Sequence, residues 1–146
     1  MAKHILTIDA RVPQVTNVKR FVLDSSKIVG LFEDVWGNTG VTVKPAEVAQ
    51  PKVSYVEESF DDLADLLQSE NANKTVVTVD HRFVQSTMAR FVLDVRKLVG
   101  VVETNSGTQL TIKSAPNAVP TIVYVHESFD EIASLYIDGP FDPEMD

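Results

Sequence analysis

The sequence predicts an α+β protein made of two tandem repeats, each an antiparallel β-meander of about four strands followed by one helix. Three observations lead to this prediction. The chain repeats itself at an offset of about 70 residues, short β-branched segments alternate with turn residues in each copy, and each copy ends in an amphipathic helical pattern. Two copies are fewer than the roughly three that a solenoid needs, so we expect them to pack with pseudo-twofold symmetry as one compact body.

The repeat extends through most of the chain. Arg20–Asp24 reads RFVLD, and the same five letters return at residues 90–94. The matches keep the same order with only single-residue gaps, which chance does not produce. Further matches join residues 7–11 to 78–82, 27–31 to 97–101, 41–44 to 110–113, and 55–61 to 124–130.

These matches set the expected domain boundaries. The first repeat occupies residues 1–70, the second residues 74–138, and an acidic tail residues 139–146, with the repeats joined near residues 69–74. One copy of about 70 residues buries little core by itself. The last strand of each copy is apolar on both faces, so it needs two covers. The helix supplies one, and the other copy or a partner chain supplies the second.

The strands follow in the same order in both copies, because each is a short β-branched run bounded by turn residues. The second segment is either one long bent strand or two tightly joined strands that break at Ser25 and Ser26. Turns at residues 34–38 and 104–107 come next. Copy by copy, the predicted strands are 5–9 or 76–80, 20–24 with 27–32 or 90–94 with 97–102, 41–44 or 110–113, and 53–57 or 122–126.

Each copy closes with a helix that begins after a serine. Ser59 and Ser128 are each followed three residues later by an acidic residue, which is a capping-box pattern. Acidic side chains also suit the positive end of the helix dipole. We expect Asp61, Asp62 and Asp65 to face water. Apolar residues at i, i+3, i+4 and i+7 predict a buried stripe of Phe60, Leu63, Ala64 and Leu67, and of Phe129, Ile132, Ala133 and Tyr136.

Composition excludes several classes of protein. Apolar residues make up 44% of the chain, enough for a core, and there is no cysteine for a disulfide or a thiolate metal site. The net charge is −8, and it divides equally between residues 1–73 and 74–146, which disfavours a broad coating of phosphate backbones. No apolar run reaches the ~20 residues of a membrane helix, and the start lacks a signal-peptide core. We therefore expect a cytoplasmic protein that does not contact membranes.

No pattern of catalytic residues is present. The three histidines, His4, His81 and His126, lack the spacing of metal ligands, and the chain has no G-x-S-x-G, P-loop or G-x-G-x-x-G motif. The acidic pair Asp61–Asp62 is explained by the helix start. We expect no catalytic residue, no metal and no cofactor, and we do not expect an enzyme.

Basic and aromatic positions recur in both copies. If the copies pair about a twofold axis, the cations could line grooves with aromatic platforms, as in proteins that bind single-stranded nucleic acid. The alternative, which we favour, buries the aromatic side chains and leaves the cations on exposed strand faces. Trp36 is interpreted as a cover over the core edge, and the acids Asp24 and Asp94 beside the cations weaken a phosphate groove. The candidate nucleic-acid-binding residues are Arg11, Arg20, Lys27, Lys44, Arg82, Arg90, Lys97 and Lys113.

Three resemblances to known families bear on these alternatives. Residues 53–67, VSYVEESFDDLADLL, resemble the strand, Glu-Ser cap and amphipathic helix that end small flagellar FlbD-type proteins, which implies no activity. The tandem meander-plus-helix architecture resembles the transcriptional positive-cofactor-four and Whirly class of single-stranded DNA-binding folds. The acidic tail, with Phe141 as its anchor, resembles in composition the partner-recruiting tails of bacterial and phage single-stranded DNA-binding proteins, although their terminal Asp-Ile-Pro-Phe is absent.

The sequence therefore favours a non-enzymatic binding or assembly module, with a protein partner or self-association and a phage or bacterial setting. The alternative is a single-stranded nucleic-acid-binding protein that uses the paired basic positions.

Overall fold

The computed structural model describes residues 3–14, 16–44, 52–82, 86–113 and 118–138. These residues form an α+β structure with antiparallel sheets and two helices. It divides into two compact units, Met1–Glu70 (unit 1) and Asn71–Asp146 (unit 2). The tail expected at residues 139–146, with Phe141, lies outside the described residues.

The described residues of unit 1 form five strands and one helix. Strand β1 pairs antiparallel with β2, and β3, β4 and β5 form an antiparallel meander. A bridge between Ile8 and Val56 links the end of β1 to β5, so the strand order within the unit is β2–β1–β5–β4–β3. The elements are β1 (Lys3–Thr7), β2 (Arg20–Asp24), β3 (Ile28–Asp34), β4 (Thr39–Val43), β5 (Lys52–Val56) and α1 (Phe60–Glu70).

Unit 2 has the same order of elements. Strand β6 pairs with β7, β8–β9–β10 form the meander, and a bridge between Val79 and Val125 gives the strand order β7–β6–β10–β9–β8. The elements are β6 (Lys74–Thr78), β7 (Met88–Asp94), β8 (Leu98–Thr104), β9 (Gly107–Ile112), β10 (Thr121–Val125) and α2 (Phe129–Asp138).

A 3₁₀ turn breaks the long second segment in both units, so each has five strands rather than about four. The turns cover Ser25–Lys27 and Val95–Lys97. The carboxylate before each turn caps it: Asp24 Oδ1 accepts from the Ser26 N–H at 3.0 Å, and Asp94 Oδ1 accepts from the Arg96 N–H at 3.0 Å. The recurring acids at 24 and 94 thus have a structural explanation.

The α1 stripe is confirmed. All four predicted residues are buried, and Asp61, Asp62 and Asp65 are exposed. The serine caps are confirmed as well: Ser59 Oγ accepts from the Asp62 N–H at 3.1 Å, and Ser128 Oγ accepts from the Glu131 N–H at 3.2 Å.

The predicted burial of the α2 stripe is confirmed only at Ile132, since Phe129 and Ala133 are half-buried. Tyr136 is 37% exposed, whereas Leu135, three residues after the buried Ile132, packs against the unit 2 core. The buried stripe therefore turns by one residue, which leaves the amphipathic tyrosine partly in water.

The last strand of each unit was expected to be covered on both faces, but each is covered on one face only. Val123 and Val125 are buried, but Ile122 is 57% exposed and Val53 on β5 is 51% exposed.

Candidate functional site

A buried carboxylate and an exposed arginine form a fork where β1 crosses to β5. Asp9 follows the bridge residue Ile8 and is 1% exposed. The Arg11 guanidinium donates to it twice, from Nε to Oδ1 at 3.0 Å and from Nη2 to Oδ2 at 2.8 Å, and the Arg11 backbone N–H donates at 3.0 Å. These hydrogen bonds lower the pKa of Asp9, although burial opposes them.

The same fork recurs in unit 2. Arg82 Nη2 lies 2.6 Å from Asp80 Oδ2, and its Nε lies 3.0 Å from Oδ1. The hydrogen bonds from Arg82 lower the pKa of Asp80 to about 2. Bidentate arginine–carboxylate pairs are among the strong hydrogen bonds of proteins. The neighbouring carboxylate neutralises the charge of Arg11 and of Arg82 and occupies two donors of each guanidinium, which weakens both as candidates for a phosphate groove.

Sequence reasoning missed a glutamine that completes the fork in unit 1. Gln14 Oε1 accepts from the Tyr55 N–H at 2.9 Å, and its Nε2 donates to the Tyr55 carbonyl at 3.1 Å. The side-chain amide thus takes the place of a neighbouring strand. The spacing Asp-x-Arg-x-x-Gln recurs at Asp80, Arg82 and Gln85, a signal that the sequence contained, although Gln85 lies outside the described residues.

The repeated Glu-Ser-Phe-Asp motif also has a structural role. Glu58 Oε1 accepts from the Thr7 N–H at 2.9 Å, and Glu127 Oε1 accepts from the Thr78 N–H at 2.8 Å. These N–H groups lie at the end of the first strand of each unit. The glutamate therefore accepts a hydrogen bond from the N–H at the end of the strand, while the following serine caps the helix.

The remaining predicted cations fall into separate groups. Lys44 N–H donates to the Lys27 carbonyl at 3.0 Å, which places these two lysines side by side. Arg20 lies at the opposite end of β2 from the turn that contains Lys27, and four strand steps alone span about 13 Å. In unit 2, Lys113 N–H donates to the Lys97 carbonyl at 2.9 Å, and Arg90 lies on β7, before the matching turn.

An open depression of about 650 Å³ lies beside the Asp9 fork. Its charged lining consists of two cations, Lys19 and Arg20, and two acids, Asp9 and Glu57, so neither sign of charge dominates it. Such a balanced lining does not favour a phosphate-rich ligand.

The histidines do not converge. His4 Nε2 lies 3.8 Å from Glu70, His126 Nδ1 lies 3.9 Å from Asp80, and His81 Nε2 lies 2.9 Å from the Met88 carbonyl. Among the described residues, no group of three or more His, Asp or Glu side chains is placed to hold a metal ion. Within the same residues, no helix has the length and apolar character needed to cross a membrane.

Two apolar side chains on the outward face of the β1–β2 sheet are exposed. Ile5 is 61% exposed and Val22 is 65% exposed, and the two are direct partners in the strand register. Because Ile5 and Val22 are directly opposed on paired strands, they form one continuous patch rather than two isolated contacts with water.

Apolar side chains are also exposed on β8, where Val99 is 52% exposed and Val102 is 47% exposed.

The interpretation of Trp36 as a cover over the core edge is wrong. Trp36 is 71% exposed at the turn between β3 and β4. The buried Asp34 carboxylate orders this turn by accepting from the backbone N–H groups of Trp36 at 3.0 Å and Asn38 at 2.8 Å. Gly37 takes the positive φ of 86° that the turn needs. The turn therefore holds the indole in solvent.

Comparison of the chain with protein-family models, with curated proteins and with solved structures finds no match.

Proposed function

We propose that this protein is a non-enzymatic assembly module that associates with itself through exposed apolar sheet surface. The observation that carries the proposal is the exposed pair of Ile5 and Val22 on paired strands. Covering both side chains would contribute roughly 2–4 kcal/mol to association, from ~1.5–3 kcal/mol for full burial of one such side chain. Exposed contiguous apolar surface is a mark of interaction sites.

The use of the repeated polar residues supports a non-enzymatic role. The buried acids Asp9 and Asp80 are held by neighbouring arginines, and Glu58 and Glu127 are held by strand N–H groups. Groups committed in this way hold the fold together, and Asp9, which lines the depression in unit 1, is already paired with Arg11. We infer no cofactor and no metal for the proposed role.

The duplication supports assembly as well. The two units share one element order, and their first hairpins share one register, with Lys3 opposite Asp24 and Lys74 opposite Asp94. We propose that the repeats descend from one small unit that paired with copies of itself, with the pseudo-twofold packing expected for such a pair.

Sedimentation velocity on the full chain from ~1 to ~100 μM tests the proposal, since this range brackets typical weak association. We expect the sedimentation coefficient to rise with concentration. The double variant I5T/V22T keeps β-branched side chains but should shift association to higher concentration. Val119→Thr is the matched control, because Val119 is 86% exposed and lies outside all strands. A wild-type chain that stays monomeric throughout would refute the proposal.

Single-stranded nucleic-acid binding is the second candidate. It is favoured by the side-by-side lysines, Lys27 with Lys44 and Lys97 with Lys113. Each pair could neutralise neighbouring phosphates, in keeping with the resemblance to single-stranded DNA-binding folds. Binding of a labelled oligonucleotide at low salt, reduced by Lys27→Ala, would support it.

A further inference from the structure

We propose that copies of this chain join head to tail by strand addition, with the β2 edge of one copy pairing antiparallel with the β8 edge of the next. This inference rests on the self-association proposed above and names the surfaces that meet. Strands β2 and β8 are end strands in the order of their own units. Val22 is 65% exposed, whereas its counterpart Val92 on β7 is half-buried. Val99 on β8 and its counterpart Val29 on β3 are similarly exposed, at 52% and 54%, but Glu103 near the end of β8 is exposed where Glu33 on β3 is half-buried.

The β2 edge has backbone groups to offer. Ile8 N–H donates to the Lys19 carbonyl at 2.9 Å, and the β1–β2 register continues from there without a shift. Hydrogen-bonded pairs alternate along an antiparallel ladder, so the backbone N–H and C=O groups of Phe21 and Leu23 point toward β1. The N–H and C=O groups of Arg20, Val22 and Asp24 therefore point away from β1.

The β2 edge also lacks the features that usually protect an edge strand. Over Arg20–Asp24 there is no proline, no lysine and no bulge, and the central residue is an exposed valine. Natural proteins blunt open edges with these devices, because an unblunted edge recruits another strand. An edge without them is suited to receive one.

Charge selects the direction of pairing. Strand β8 has Lys97 just before its start and exposed Glu103 near its end. Antiparallel pairing places Arg20 opposite Glu103 and brings Asp24 close to Lys97. Parallel pairing would instead bring Arg20 toward Lys97 and Asp24 toward Glu103, which sets like charges together. Opposite charges across paired strands stabilise a sheet and like charges destabilise it.

In the antiparallel register Val22 lies opposite Val101, and Val99, which lies in the β8 bulge between Leu98 and Gly100, comes next to Asp24. Val101 is only partly buried against the unit 2 core, so the apolar centre of the β2 edge meets the remaining exposed part of this valine, and its charged ends meet the opposite sign. Because the two edges differ, the contact is heterologous, and each chain has one edge of each kind. Repetition of this contact closes a ring or extends a filament.

Two variants, each with one of the two edges blocked by a carboxylate, test the inference. Val22→Glu places a carboxylate on the β2 edge beside the approaching Glu103, and Val99→Glu places one on the β8 edge opposite Asp24. Each variant alone should sediment as a 16.1 kDa monomer. An equimolar mixture should form a heterodimer and nothing larger, because the intact β8 of one variant pairs with the intact β2 of the other. The mixture also shows that both variants fold.

Reversal of the charges at positions 20 and 103 is an independent test of the contact. Arg20→Glu alone and Glu103→Arg alone should each raise the dissociation constant about 3- to 10-fold, and the double variant R20E/E103R should restore it. Val119→Glu, the matched control, should associate like the wild type.

The outcomes separate the two proposals. A wild-type chain that never associates overturns both the assembly function and the head-to-tail contact. Self-association that Val22→Glu weakens but Val99→Glu leaves unchanged overturns the contact with β8 and leaves the assembly function standing. Two monomeric variants that fail to join when mixed overturn the pairing of β2 with β8.

Discussion

Replacing Glu58 with alanine tests the structural role assigned to the repeated Glu-Ser-Phe-Asp motif. The change removes the acceptor that lies 2.9 Å from the Thr7 N–H. This N–H lies where the first strand leaves β2 and begins to pair with β5, next to the hydrogen bond from Glu57 N–H to the Thr7 carbonyl at 2.8 Å. Loss of the acceptor therefore weakens the junction that connects the hairpin to the meander.

The expected magnitude follows from the partly buried setting of this hydrogen bond. Bonds to charged groups contribute about 1.5–3 kcal/mol, and water that reaches the released N–H reduces the loss to about 1–2 kcal/mol. For a chain of 146 residues this corresponds to a fall in melting temperature of about 3–6 °C. Glu58→Gln retains a neutral acceptor and should lose about half as much. Chemical denaturation and calorimetry measure both values.

Glu57→Ala is the control, because Glu57 is the neighbour of Glu58, carries the same charge and has an exposed side chain. We expect it to change stability by less than about 0.5 kcal/mol, as surface substitutions usually do. Equal losses for Glu57→Ala and Glu58→Ala would show that general charge effects, and not the hydrogen bond, set the stability, and would refute the reasoning.

Three further predictions concern packing, pH and nucleic acid. A Cβ at Gly40 would fall within 2.5 Å of Phe32 Cε1, so Gly40→Ala should destabilise unit 1 by about 1–3 kcal/mol in urea titrations, whereas Gly100→Ala, whose nearest neighbour would lie 3.9 Å away, should not. The pKa of Asp80 is lowered to about 2, below the value of about 3.9 expected when unfolded. Its contribution to stability is complete above pH ~4 and is lost as the pH falls toward 2, so melts of Asp80→Asn should lack this acid-dependent loss, and an unchanged slope would contradict the assignment. A labelled single-stranded oligonucleotide should show no change in anisotropy with micromolar protein at ~50 mM salt, and binding that depends on Lys27 would favour the second candidate function instead.

Local patterns predicted much of each unit. The α1 stripe depends on i, i+3, i+4 spacing, and the serine caps depend on side chains three residues apart, so neither needs knowledge of distant contacts. The first strand was predicted about two residues too late in the sequence. Its end is set by the point between Thr7 and Asp9 where the backbone stops pairing with β2 and begins to pair with β5. That change of partner is a tertiary event with no local signal.

The exposure of particular side chains was the least predictable property. Trp36 and Tyr136 are aromatic and were expected to lie against the core, but a turn ordered by Asp34 and a one-residue rotation of the α2 stripe leave them in solvent. The arginines of the two forks were candidate cations only under the alternative, nucleic-acid-binding interpretation. Their bidentate contacts with Asp9 and Asp80 depend on backbone geometry that composition does not report.

The central claim is that exposed apolar strands make this chain an assembly module. Sedimentation equilibrium of the wild-type chain beside the Val22→Glu variant tests it most directly. The account predicts an average mass that rises above 16.1 kDa with concentration for the wild type and remains near 16.1 kDa for the variant. A wild-type mass of 16.1 kDa up to ~100 μM, where even weak association is detected, would contradict it.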